Sequence, residues 1–415
     1  MFKKIYPREK YLEKIRPFYE SGIVKVITGI RGCGKSEMLK CIINDLLSRG
    51  VDEEKIVYVP MEKRGFRSIK TPRQLQGKIE SLIHAEGFHY IFIDGIQNVQ
   101  GIEGVIRSYV REGFSLFLTD SDSKIIKDEI SAKMIGRYLE FQIFPLDFSE
   151  YLGMKSFLKL PVSGDMDREF DEYIRNGGFA GAFAMPDAES RRQYTQGIID
   201  EIFDKDIRTG SRVSNTVSFR RVQDYLVDHF AEPFSISKLI GELALEGIHI
   251  KPQTVRGYID KLQRSNLIYE CERFDVRSKR DIKREQKYYL ADLSIFFALN
   301  TDNRLNYRHC LENLVYTYLV GQGFQVSIGK IGNFECSFIV RDKEKNYKFI
   351  QVAFSLQGGD EKMSNMIKES VYEPLRNIKE GYPRYIISLD KYRDQAEGVH
   401  HINAIDLFLG KAQID

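Results

Sequence analysis

The residues best placed to do chemistry are Gly29-Ile30-Arg31-Gly32-Cys33-Gly34-Lys35-Ser36, a complete G-x-x-x-x-G-K-S. Glycines at those spacings let a loop turn its backbone N–H groups inward around an anion, and a following helix adds its N-terminal dipole. At the end of such a loop a lysine reaches β- and γ-phosphates and a hydroxyl reaches magnesium, so Lys35 and Ser36 take those roles. The alternative is a glycine-rich turn with a chance lysine. The expected strand Ile23 to Thr28 before the loop and the helical stretch Glu37 to Leu47 after it argue against that alternative. Tyr90-Ile91-Phe92-Ile93-Asp94 supplies the partner, four apolar residues ending in an acid that can hold magnesium through water. The competing reading is a strand-ending acid with no partner. Arg31 lies either on a phosphate or on the surface. The chemistry implied is binding of ATP with Mg2+.

The elements that must position these residues follow from hydrophobic periodicity. Ile23 to Thr28, Lys55 to Pro60, Tyr90 to Asp94, Phe114 to Thr119 and Tyr138 to Phe144 are expected strands, separated mostly by stretches long enough for crossover helices. That alternation predicts an α/β fold with a parallel sheet covered on both faces over residues 1–145. Residues 146–215 turn helical around Asn176-Gly177-Gly178, and acidic segments near Asp200 to Asp206 should pack beside the sheet; this is the expected helical lid or linker. Within 216–295, Val222, Tyr225, Leu226 and Phe230 recur at helical spacing, and Ser235 can cap a second helix bearing Leu239, Ile240 and Leu243. A third helix follows Pro252, and the strand-like segments Leu267 to Phe274 and Lys287 to Ala291 complete a predicted winged helix-turn-helix. Residues 296–415 read as a small α/β core with a helix at Leu311 to Gly321, strands at Gln325 to Gly329, Phe334 to Val340, Tyr347 to Phe354 and Arg384 to Leu389, and a helix near Lys362 to Ile378.

Length and charge bound the partners. At about 150 residues per domain, 415 residues predict two or three cores. Lysine plus arginine (62) less aspartate plus glutamate (59) is +3, which excludes a protein that coats polyanions over its whole surface. Between Lys251 and Lys287, however, eleven basic residues face six acidic ones, so that segment carries +5 and the rest −2. Such a patch on a recognition helix and wing is where DNA phosphates would be met; a solvated hairpin, or a winged helix that binds another protein, stays open. Five cysteines without metal-ligand spacing predict free thiols. No apolar run approaches the roughly 18 residues of a membrane helix, so no membrane partner is expected and the location is read as cytoplasmic. His400 and His401 are adjacent, would point to opposite faces of a strand and make a poor metal clamp, so a structural role is expected.

The P-loop, the strand ending FIDGIQNV, the strand ending LTDSDSKII, the segment GRYLEFQIFPLDFSEYL and the later GGF, in that order, resemble the prokaryotic, archaeal-type AAA ATPases that carry a C-terminal domain of unknown function. The resemblance runs over essentially the whole chain. It implies that Gly29 to Ser36 are Walker A, that Asp94 is the Walker B metal acid, that Thr119 and Ser121 form the sensor region, and that Arg137 is either an arginine for a γ-phosphate or an ordinary surface arginine. Two departures bear on chemistry. The family reads D-E-I-Q where this chain has Asp94-Gly95-Ile96-Gln97, so the glutamate that would orient and deprotonate water is missing. It reads L-T-G-S where this chain has Leu118-Thr119-Asp120-Ser121, which makes Asp120 the candidate substitute base. ATP binding is therefore separated from turnover: the resemblance with its two departures implies a slow ATPase for which DNA is a candidate target, or a non-hydrolysing, nucleotide-gated adaptor that works through its winged helix on DNA or protein. Assembly into an oligomer stays open.

The terminal core resembles the restriction-endonuclease-like fold, whose active members carry an acid on one strand and E-x-K on the next. The corresponding positions here are Ser337 and Gln351-Val352-Ala353, with Glu312 as the helix acid. Metal-assisted phosphodiester cleavage then lacks its ligands. Glu335 is expected to point to the opposite face of its strand.

Overall fold

The computed structural model describes residues 2, 5–99, 101–120, 138–208, 213, 215–300, 306–344, 346–378, 381–391 and 395–414. The chain divides into two compact units. One comprises Met1–Pro145, Ile202–Gly210 and Arg264–Asn266; the other comprises Leu146–Glu201, Ser211–Gln263 and Leu267–Asp415.

The first unit is built on β1 (Val24–Thr28), β2 (Ile56–Pro60), β3 (Tyr90–Asp94), β4 (Ser115–Thr119) and β5 (Tyr138–Gln142), paired in the order β2-β3-β4-β1-β5 with every pairing parallel. Helices α1 (Glu9–Ile15), α2 (Lys35–Ser48), α3 (Pro72–Glu80) and α4 (Glu103–Arg111) accompany them. β3 and β4 are near-continuous apolar runs because both faces of a parallel sheet are covered. Val26, Val59, Ile93 and Leu118 meet Leu75 of α3 and Ile106 of α4 in one buried cluster. The start of α3 is set by a reciprocal cap, the Thr71 hydroxyl accepting from Gln74 N while the Gln74 side chain accepts from Thr71 N, with Pro72 in the first turn.

Lys25 breaks the apolar pattern of β1. It is fully buried, donates from Nζ to Ser115 Oγ at 2.7 Å and Ser21 O at 3.2 Å, and lies 4.4 Å from the centre of the Phe117 ring. Burial lowers its pKa from 10.5 to about 7. Between those values the unfolded chain holds a proton that the folded chain has released, so this residue makes stability rise with pH and penalises the fold below about pH 7. Lys25→Met removes the penalty and the slope. Urea unfolding of both proteins is expected to show the variant more stable at pH 6 by on the order of 3–5 kcal/mol, at about 1.4 kcal/mol per pKa unit, with the gap narrowing by pH 10. A gap independent of pH overturns the expectation.

In the second unit, α5 (Phe148–Phe157), α6 (Met166–Asn176) and α7 (Ala188–Glu201) come first, and α8 (Thr216–Asp228), α9 (Ile236–Leu245) and α10 (Pro252–Arg264) follow. Then β6 (Ile268–Asp275) and β7 (Arg280–Leu290) form a hairpin, followed by α11 (Ser294–Leu299) and α12 (Tyr307–Gln322). β8 (Gln325–Ile331), β9 (Phe334–Arg341) and β10 (Tyr347–Val352) are an antiparallel meander; α13 (Glu361–Arg376), β11 (Arg384–Ser388), β12 (His400–Asn403) and α14 (Ala404–Phe408) end the chain. The hairpin does not stand apart from this meander. β6 pairs in parallel with β8, giving one seven-stranded sheet in the order β12-β11-β10-β9-β8-β6-β7. Tyr316 of α12 stacks on Tyr289 of β7 at 4.2 Å, and α13 contributes Val371, Tyr372 and Leu375 to a core with Cys336, Phe349 and Ile386.

The Gly177-Gly178 pair is explained by close approach. Gly178 N donates to Asp292 Oδ2 at 2.7 Å while Gly178 O accepts from Leu146 N at 2.8 Å. A Cβ on Gly177 would stand 1.8 Å from Asp292 Oδ1, and one on Gly178 2.0 Å from Leu146 O. Burial raises the pKa of the Asp292 carboxyl.

Candidate functional site

The C-terminal ends of β1 and β3 carry the site, the edge at which open parallel sheets bind ligands. After β1 the chain turns through Gly29, Gly32 and Gly34, whose φ values of 141°, 81° and 98° lie where other residues are strained. Gly29 is doubly required, because a Cβ there would be 2.2 Å from Ile143 O. Gly34 caps α2 in the left-handed conformation, so Lys35 and Ser36 sit in the first turn of a 14-residue helix. Arg8 braces the loop from behind, donating from Nη1 to Cys33 O at 3.1 Å and to Phe144 O at 2.8 Å. Ile30 and Cys33 are buried, and burial pushes the Cys33 thiol pKa up. Lys35 Nζ donates to Gly29 O at 2.7 Å and Ile30 O at 3.0 Å, which holds the ammonium over the mouth of its own loop.

Among the described residues, three hydroxyls converge on Asp94. Ser36 Oγ donates to Oδ1 at 2.9 Å, Thr119 Oγ1 to Oδ1 at 2.7 Å and Tyr58 OH to Oδ2 at 2.9 Å. Thr119 in turn accepts from Gly95 N at 2.8 Å. β4 lies between β3 and β1, so it is the strand able to tie the two ends together. Ser36 and Asp94 present hard oxygens at one point, a donor set that fits magnesium. Tyr58 escaped the sequence reading; the one signal was a phenol in the middle of the apolar run of β2. Burial first, and the Asp94 charge second, raise its hydroxyl pKa, so it stays a donor.

Arg31 is not loose on the surface. Its Nε and Nη2 take both oxygens of Asp206 at 3.1 and 2.7 Å, and Nη1 lies 3.3 Å from Glu62 Oε1. Asp120 is buried just past β4 and donates from its backbone N to Ile27 O at 3.1 Å. Ser121 and Arg137 lie outside the described residues.

The second unit groups the nuclease-like positions in another way than expected. Ser337 N donates to Gln351 Oε1 at 2.9 Å and Val352 N to Ser337 Oγ at 3.0 Å, so the two side chains satisfy backbone groups of the sheet. Glu335 does not point away from the helix acid: Lys287 Nζ lies 2.9 Å from Glu312 and 3.0 Å from Glu335, and Arg273 also pairs with Glu335. Glu335 stands two residues from Ser337, an even spacing that keeps both on one face of a regular strand, so alternation gives no ground for an opposite face. A bulge also lies in β9, where Ser327 pairs with Ile339 but Gly329 with Cys336. Among the described residues no group of three or more His, Cys, Asp and Glu is arranged to hold a metal ion. His401 Nε2 meets Ser388 Oγ at 2.7 Å.

Residues 21–152 match a protein-family model described as an AAA domain, and residues 167–306 match one described as a domain of unknown function. The fold is that of a P-loop NTPase. A Walker-type ATPase of Pyrococcus abyssi superposes on this P-loop NTPase with a TM-score of 0.52 at 14% identity, covering 71% of this chain and 96% of that one, which is a likeness of fold. An uncharacterized protein of Haemophilus influenzae is 29% identical over 414 residues, 99% of this chain and 100% of its own length. A second, from Methanocaldococcus jannaschii, is 26% identical over 347 residues, 80% of this chain and 75% of its own. Among the described residues no helix is long and apolar enough to cross a membrane.

Proposed function

We propose that this P-loop NTPase binds ATP with Mg2+ between the Gly29–Ser36 loop and Asp94 and turns it over slowly. The observation that carries the reading is the 2.9 Å meeting of Ser36 and Asp94 beside Lys35, at the open edge of the sheet. In this reading the loop amides and the N-terminus of α2 cradle the phosphates, Lys35 reaches the β- and γ-phosphates, and Ser36 and Asp94 hold the metal, which when bound offsets phosphate charge. Tyr58 and Thr119 keep the Asp94 carboxylate in one orientation. What the site lacks is a carboxylate at Gly95 to take a proton from water, and Asp120 is the substitute we assign. ATP binding and phosphate release measured on one purified sample test this: saturable binding with turnover well below about 1 s⁻¹ is expected. Absence of binding overturns the whole reading, and turnover at or above that rate overturns its slow step.

A second property is favoured by exposure. We read α8, α9, α10 and the β6–β7 hairpin as a winged helix and the strands beyond it as a nuclease-like scaffold without cleavage activity. Arg273 and Lys287 are held in ion pairs with Glu285, Glu312 and Glu335. Lys251, Arg256, Arg277, Lys279 and Arg280 are exposed, as are Asp260, Glu270, Asp281 and Glu285, so the exposed basic excess among the described residues is concentrated at the hairpin turn, where Arg277, Lys279 and Arg280 face Asp281. Duplex DNA is the partner we assign to it, and the buried free thiols fit a reducing, cytoplasmic setting. Affinity should fall on a log–log salt plot with a slope of about −3 to −5, at about −0.9 per phosphate contact. Reversing Arg277, Lys279 and Arg280 to glutamate should remove binding. If the wild type retards no DNA at low salt with ATP present, the surface serves a protein and the chain is an adaptor.

A further inference from the structure

Arg31 occupies the third position of the phosphate loop, yet its guanidinium is already taken. Its side chain is 12% exposed and that of Asp206 only 3%, and the two-point geometry is the one a guanidinium also offers to a phosphate. The neighbours show which end of a nucleotide it would meet. Glu62, its other partner, stands two residues past the end of β2, where Pro60 pairs with Asp94 and Met61 N donates to Asp94 O at 3.0 Å. The guanidinium is thus on the metal-acid side of the loop, where the terminal phosphate of a triphosphate lies in the reading proposed above. Asp206 belongs to a single π-helical turn, Ile202–Ile207, which follows α7 without an intervening loop. Such turns are rare and concentrate at functional sites.

We infer that Arg31 discriminates a nucleoside triphosphate from a diphosphate, and that it does so by exchanging the Asp206 carboxylate for the γ-phosphate, which frees the turn 202–207. One guanidinium cannot pair both anions in the same two-point geometry, and the incoming phosphate repels the two carboxylates that now flank it. A diphosphate brings no third phosphoryl group to that place and leaves the Arg31–Asp206 pair intact. Asp206 is a positioning residue in this scheme, holding Arg31 back until the triphosphate arrives.

The inference rests on the nucleotide reading, so the experiment separates the two. Fluorescent ATP and ADP analogues are titrated with magnesium into the wild type, Asp206→Asn and Arg31→Gln. Asp206→Asn should tighten ATP binding about 5- to 20-fold with ADP affinity unchanged, and Arg31→Gln should bring ATP affinity down to that for ADP. Asp206→Glu, which restores the competitor, should return the wild-type ratio. Hydrogen exchange on the unmodified protein guards against a folding defect: amides of 202–207 should exchange faster with ATP than with ADP. Equal shifts for both nucleotides in the variants, or equal exchange, overturn the inference while leaving nucleotide binding intact. A wild type that binds neither nucleotide overturns the reading beneath it, and the inference falls with it.

Discussion

Lys35→Ala abolishes ATP binding. The side chain ends at the loop mouth, 2.7 and 3.0 Å from the Gly29 and Ile30 carbonyl oxygens, and swinging onto a phosphate replaces two neutral acceptors by charged ones. Hydrogen bonds to charged groups contribute about 1.5–3 kcal/mol each, so two of them correspond to a loss of roughly 100-fold or more at about 1.4 kcal/mol per tenfold. The glycine-rich loop keeps its conformation in the variant, since Gly29, Gly32 and Gly34 hold their own dihedral angles and Arg8 braces Cys33 O independently. Titration with a fluorescent ATP analogue reads the loss, with the unfolding midpoint measured alongside. Unchanged affinity removes the loop from the binding site.

Gly95→Glu raises hydrolysis by about 10²- to 10⁴-fold, the usual contribution of a general base. The new carboxylate follows directly on Asp94, and Gly95 N is already fastened to Thr119 Oγ1, so the position is adjacent to the metal acid by construction. The gain has a cost in stability. Gly95 holds φ 92° and ψ 61°, and a residue with a Cβ pays about 1–2 kcal/mol to stay in that left-handed region. The variant should therefore be faster and less stable at once, read by phosphate release and by urea unfolding. A variant that folds and binds ATP without any gain in rate assigns the base role elsewhere, and Asp120→Asn is then the informative measurement.

The glycine at 95 shows how far a sequence comparison reaches. That a glutamate is missing was legible from the string Asp94-Gly95-Ile96-Gln97; that the backbone there has turned left-handed was not. Likewise the apolar character of β2 was plain, but its Tyr58 joins the site only because β2 lies beside β3 and brings the phenol to Asp94 Oδ2. Lys25 reads locally as a polar interruption of a strand, and becomes a buried amine only where the fold sets it against Ser21 O, Ser115 and the Phe117 ring.

By itself the sequence determined the phosphate loop, the strands that flank it and the helix it opens. These are local facts, since glycine's conformational freedom and the periods of strand and helix are expressed within about ten residues. Only the tertiary structure decided which distant residues meet. Arg31 finds Asp206 across 175 positions, the β6–β7 hairpin joins the terminal strands through β8, and Lys287 of β7 meets both Glu312 of α12 and Glu335 of β9. Strand order and bulges arise from pairing between segments far apart in the chain, and no short stretch of residues carries that information.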